Sequence, residues 1–182
     1  KNTVAPILKS VCAHYTIPLV SGRGFCSLPP RYQMARRYQQ SGKEKLIVLF
    51  VTDYDPEGFT ICQSFARSMR DDFDIENIVP IKVALTSEQV QRFNLPPLAI
   101  AKKGSATRKK FVAQHGEHVW ELEALPAEQL QQLLREAIES VVDRDAFNRE
   151  SELEAEDAAY LASAKQTVDE VLLEVDFEEE DE

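Results

Sequence analysis

Asp53 and Asp55 stand two residues apart, directly after the apolar run Leu46–Thr52 and before Pro56-Glu57-Gly58. Residues i and i+2 of a strand point to one side, so the two carboxylates can converge. Carboxylates a few ångströms apart repel unless a proton or a cation intervenes. Mg²⁺ suits such a pair, because it is commonly held by one or two carboxylates with water and phosphate completing its shell. Asp53 and Asp55 are therefore the candidate metal ligands and catalytic acids, and Mg²⁺ is the expected cofactor. Glu57 and Gly58 are further candidates, the glycine because it lets backbone or substrate approach closely. A plainer reading competes for Asp55: before Pro56 it fits a helix N-cap with proline at N1, a device of many helices that bind nothing. Asp53 resists that reading, since a carboxylate at the mouth of an apolar strand is costly without a partner.

Lys102, Lys103, Arg108, Lys109 and Lys110 place five bases within nine residues, among Gly104, Ser105 and Thr107. They fit a loop that contacts phosphates with salt-dependent, sequence-independent affinity, and equally a solvated loop. Arg31, Arg36 and Arg37 can extend that surface, although the wet face of a helix carries such residues too. Glu121 and Glu123 are either a secondary acidic site or exposed positions alternating with Trp120 and Leu122. His14, His115 and His118 lack ligand spacing, and Gly22-Arg23-Gly24 lacks the spacing of a nucleotide-binding loop.

The elements that must position these residues follow from pattern. Thr3–Tyr15 carries a helical apolar stripe, and Pro29-Pro30 opens a second helix to about Gln40. Ile17–Ser21 reads as a short strand. Leu46–Thr52 is apolar without alternation, as in a strand covered on both faces of a parallel sheet. Pro56 opens a helix with Phe59, Cys62, Phe65, Ala66 and Met69 inward. Ile78–Leu85 is a further strand, and Thr86 with Gln89 forms a capping box for a helix over Ser87–Phe93. Residues 99–110 read as a basic loop and Val119–Leu122 as a last short strand. From Pro126 a helix carries Leu130, Leu133, Leu134, Ala137, Ile138 and Val141. Residues 152–174 permit helix, and the acidic run 176–182 has little reason to fold. The alternation is that of an α/β fold, a mainly parallel sheet flanked by helices. Residues 1–148 form its domain and 149–182 an acidic tail.

The net charge of −10 averages two different regions. From Glu150 onward fourteen acids face one base, Lys165, whereas residues 1–149 hold 17 acids and 20 bases. The body tolerates phosphate and the tail repels it. Three separated cysteines suggest neither a disulfide framework nor a zinc site, so a reducing cytoplasm is the expected compartment. No apolar run approaches the ~20 residues of a membrane span.

The segment Val51-Thr52-Asp53-Tyr54-Asp55-Pro56-Glu57-Gly58 resembles the Asp-x-Asp-Pro-x-Gly stretch of Toprim domains in topoisomerase VI A subunits and their meiotic double-strand-break relatives. Leu85-Thr86 through Asn94-Leu95-Pro96 and Trp120-Glu121-Leu122-Glu123-Ala124-Leu125 resemble two further stretches of that group. Closer still is the likeness to stand-alone Toprim-like proteins of bacteria and their mobile elements. The resemblance covers about residues 1–148. It implies a Rossmann-like Toprim fold and a Mg²⁺ site of one glutamate plus the Asp-x-Asp pair, gripping a phosphodiester during cleavage. By that alignment the first strand and its glutamate are expected upstream of Lys1, and Glu121 falls on a family glutamate. The nucleophilic tyrosine of the topoisomerases sits on a separate winged-helix domain, which is not expected within these residues, so Tyr54 reads as a wall of the site.

Three functions follow as expectations. The first is a Mg²⁺-dependent nucleic-acid-processing module, a nuclease or a topoisomerase-like cleavage component, with DNA as the expected partner. The second is a non-catalytic DNA- or protein-binding regulatory module, its acidic tail engaging a protein partner. The third, a phosphatase of the haloacid-dehalogenase type, wants Thr or Val two residues after the second aspartate, where Glu57 stands.

Overall fold

The computed structural model describes residues 3–22, 27–100 and 106–179, and divides into two compact units, Lys1–Ile138 and Glu139–Glu182. In the first unit, α1 (Ala5–His14) buries Leu8, Val11 and Cys12. Ile17–Ser21 forms no strand: Leu19 and Val20 are 40% and 37% exposed, and Pro18 has no N–H to give a ladder. α2 (Leu28–Ser41) takes Pro29 and Pro30 in its first turn, where no N–H is needed, and ends at Gly42 with φ 65°.

β1 (Leu46–Val51) pairs in parallel with β2 (Ile78–Ala84), and α3 (Pro56–Phe73) crosses between them. Leu46 stands opposite Ile78 and Phe50 opposite Lys82, and a register shift then sets Val51 against Ala84. The ladder runs one step further, with the Thr52 N–H donating to the Ala84 carbonyl at 2.7 Å and that of Leu85 to Thr52 at 2.7 Å. The arrangement is mixed α/β. β1 is half-buried along its whole length, not sealed on both faces, because its described sheet has β2 as the single neighbour. Its inner face meets α3, where the rings of Phe50 and Phe65 pack edge to face at 5.4 Å. Ala35, Phe65, Ala66, Met69, Ile75 and Ile78 form the core there, with Leu46 and Val48 against it. Each large side chain so buried contributes roughly 1.5–3 kcal/mol. Arg31 belongs to this packing: it bonds Ser68 and reaches Asp72 at 3.4 Å on α3, while Arg36 and Arg37 are exposed.

The capping box holds: Thr86 and Gln89 satisfy each other's backbone N–H groups at the start of α4 (Ser87–Arg92). Residues 99–110 are not simply a loop. β3 (Ala99–Ile100) pairs antiparallel with β4 (His118–Val119), and α5 (Ala106–His115) lies between them in sequence. The expected strand over Val119–Leu122 is shorter, giving way to a 3-10 turn at Leu122–Ala124. α6 (Ala127–Glu139) buries Leu130, Leu134 and Ile138.

The second unit is built on α7 (Arg144–Glu179). Asp143 opens it, its carboxylate accepting from the Ala146 N–H at 3.0 Å. The helix runs past Asp176, where the acidic run was expected to leave the chain unfolded. No described helix is long and apolar enough to cross a membrane.

Candidate functional site

The two aspartates leave the C-terminal end of β1, the edge at which open α/β sheets bind ligands. Each has one oxygen engaged by a backbone N–H, and the donors come from different parts of the chain. Asp55 Oδ1 accepts from Gly58 at 2.6 Å and caps α3, so the N-cap reading is correct for this residue. Asp53 Oδ1 accepts from Leu122 at 2.9 Å, at the start of the 3-10 turn. Both residues are half-buried. A carboxylate offers about four lone-pair sites, and a backbone N–H on one of them fixes its direction.

Gly58 is required by contact. A Cβ there would overlap the Asp53 carbonyl oxygen and press on Asp55 Oδ1 and Thr52 Oγ1, each at 3.1 Å. The glycine therefore brings the first turn of α3 against the strand end. Glu57 is exposed in that first turn, where a negative charge suits the helix dipole.

Lys82 is the residue that sequence reasoning missed. Opposite Phe50 in the parallel register, it reaches back along the α3 side and donates to the carbonyl oxygens of Asp53 at 2.9 Å and Gly58 at 3.2 Å. Burial pushes its ammonium pKa down, against the opposing pull of Cys62, Asp55 and Asp53. One half-buried cation thus lies in the field of both aspartates and ties the two ends of the Asp53–Gly58 loop together. The sole signal in the sequence was a lysine inside the otherwise apolar strand Ile78–Ala84.

Tyr54, between the aspartates, is buried, with 7% of its surface exposed. Its backbone exchanges two hydrogen bonds with Trp120, at 2.9 and 3.1 Å. Its hydroxyl lies 2.7 Å from His115 Nδ1 at the end of α5, and its ring packs on Phe111 and Trp120. The other ring nitrogen of His115, Nε2, is buried without a hydrogen-bond partner. Burial raises the Tyr54 phenol pKa, against a hydrogen bond with Ser87.

Of the five expected phosphate contacts, Arg108, Lys109 and Lys110 lie on α5, a helix and not a loop, and Lys102 and Lys103 lie outside the described residues. Lys109 and Lys110 are exposed, and Arg108 pairs with Glu117 at 3.4 Å. Glu121 and Glu123 are exposed, alternating with half-buried Trp120 and buried Leu122. The contribution of this segment to the acidic corner is the Leu122 N–H. Among the described residues, no third His, Cys, Asp or Glu joins Asp53 and Asp55 in a group that could hold a metal ion. Two carboxylates still meet the protein's share of a Mg²⁺ shell completed by water and phosphate. Comparison with family models, curated proteins and solved structures returns no match.

Proposed function

We propose that the Asp53–Gly58 corner is the Mg²⁺-binding part of a Toprim-type module that processes nucleic acid, acting on phosphodiesters of DNA. The observation that carries this reading is that both carboxylates stand at the C-terminal edge of β1, each pre-aimed by a backbone N–H from a separate segment. A cap alone would account for Asp55; it does not account for a second acid held by Leu122. When bound there, Mg²⁺ would supply positive charge against the phosphate oxygens. Asp53 and Asp55 would be the ligands, Lys82 would hold their loop, and α5 would present Lys109 and Lys110 to the backbone phosphates. Support for that last role is the tether from His115, at the end of α5, to Tyr54 between the aspartates.

The test is titration of the full chain with Mg²⁺, read from the amide signals of Asp53–Gly58. Asp55→Asn separates the two roles of that residue, because asparagine caps a helix as well as aspartate but carries no charge. The expected result is a saturable Mg²⁺ shift in the parent chain that Asp55→Asn abolishes while its melting temperature stays close to the parent's. No Mg²⁺ shift in the parent chain overturns the reading.

A second reading is favoured by one observation, the lack of a third acidic or imidazole ligand among the described residues. On it, the chain binds nucleic acid or protein without cleaving, and Asp53→Asn leaves DNA affinity unchanged with or without Mg²⁺.

A further inference from the structure

α7 spans 36 residues, about 54 Å at 1.5 Å per residue, and every side chain from Asn148 to Leu172 is exposed. A helix with so little burial is expected to be polar all round. This one is not. Leu153, Tyr160, Leu161, Val168, Val171 and Leu172 are each more than half exposed. At 100° per residue Leu161, Val168, Val171 and Leu172 fall within an arc of about 100°, with Ala164 among them. That spacing is the anchor pattern of a helix that lays one face into an apolar groove. Lys165 and Asp169 stand beyond one edge of the stripe and Glu156 beyond the other, while Glu170 lies nearly opposite its centre.

The charge of the helix decides what can cover that face. α7 carries twelve acids against three bases, Arg144, Arg149 and Lys165. A second copy would bring the same excess of negative charge to the contact, and nucleic acid is repelled for the same reason. We infer that α7 is a docking helix for a protein partner whose surface offers an apolar groove edged with lysine and arginine, with Leu161, Val168, Val171 and Leu172 as the anchors. The basis is independent of the metal corner, so either proposal can fail without the other.

The probe is a synthetic amphipathic peptide with a leucine face bordered by lysines, and its control keeps the leucines but replaces the lysines with glutamates. Binding to the full chain is read by fluorescence anisotropy. The lysine peptide is expected to bind at least about tenfold more tightly than the glutamate peptide, and to weaken between about 50 and about 500 mM salt as screening shortens. Leu161→Glu combined with Val168→Glu is expected to weaken it about tenfold or more. Glu156→Lys combined with Asp169→Lys, which spares the apolar face, is expected to lower affinity and its salt dependence together. Should the first variant lose helix by circular dichroism, the second decides. Equal affinity for the two peptides overturns the inference, as does binding unchanged in both variants. So does sedimentation of the chain alone as a dimer that Leu161→Glu with Val168→Glu dissociates, since the occupant is then a second copy.

Discussion

The Leu122 N–H donates to Asp53 Oδ1 at 2.9 Å, a bond that joins residues 69 positions apart. It gives Asp53 a direction, and it gives the Trp120-Glu121-Leu122 stretch a physical role beside the acidic corner. Asp53→Ala leaves that N–H without its acceptor in a part-buried place, at a cost of about 1–3 kcal/mol. Asp53→Asn keeps an acceptor oxygen and is expected to recover most of the loss. Urea unfolding of the three proteins measures this, and equal midpoints for the two variants would show that the bond contributes nothing.

Gly58→Ala meets backbone and not a flexible side chain, because the obstructing atom is the Asp53 carbonyl oxygen. Overpacking typically costs about 1–3 kcal/mol, and an overlap that no rotamer relieves belongs at the upper end. The expected outcome is a loss of about 2 kcal/mol or more in the unfolding free energy. A midpoint within error of the parent's would contradict this geometry.

Tyr54→Phe keeps the ring in its aromatic cluster and removes the hydroxyl that His115 Nδ1 engages. A loss of about 1 kcal/mol is expected. In a double-mutant cycle with His115→Phe, the coupling should fall in the range of about 0.5–1.5 kcal/mol for residues in direct contact. Additive effects would mean that the bond is absent in solution.

Cys12 and Cys62 are buried, and burial pushes both thiol pKa values up, for Cys62 against the opposing pull of Lys82. The thiolate is the reactive form, so at mildly alkaline pH both sites should react slowly with iodoacetamide in the folded chain. The rate at each should rise with pH and increase about tenfold or more in urea. Peptide mass spectrometry after timed labelling reads each cysteine separately, and labelling at the urea rate in native buffer would exclude the buried placement.

What the sequence revealed was local. The apolar run before Asp53, the proline after Asp55 and the Thr86–Gln89 box each act within a few residues, and each recurs in the structure. α5 was hidden because Ala106–His115 buries one large apolar side chain, Phe111, and so carries no stripe to betray a helix. Ile17–Ser21 misled in the opposite way, having the composition of a strand but joining neither sheet among the described residues. Lys82 went unnamed, and His115 was weighed only as a metal ligand, for a third reason. Their partners at the corner lie 29 and 61 positions away, and nothing in their immediate neighbours marks a side chain that reaches that far.

Tyr54 exchanges both of its main-chain bonds with Trp120, and Asp53 leans on the residue two places further on. Asp55 is therefore aimed from within its own stretch of polypeptide, by Gly58, and Asp53 from another. A graft that moves residues 46–58 into a foreign scaffold carries the Asp55–Gly58 bond with it but leaves Asp53 without the N–H that directs it. A cut between α4 and β4 turns the Leu122–Asp53 bond of the native chain into a contact between two separate pieces.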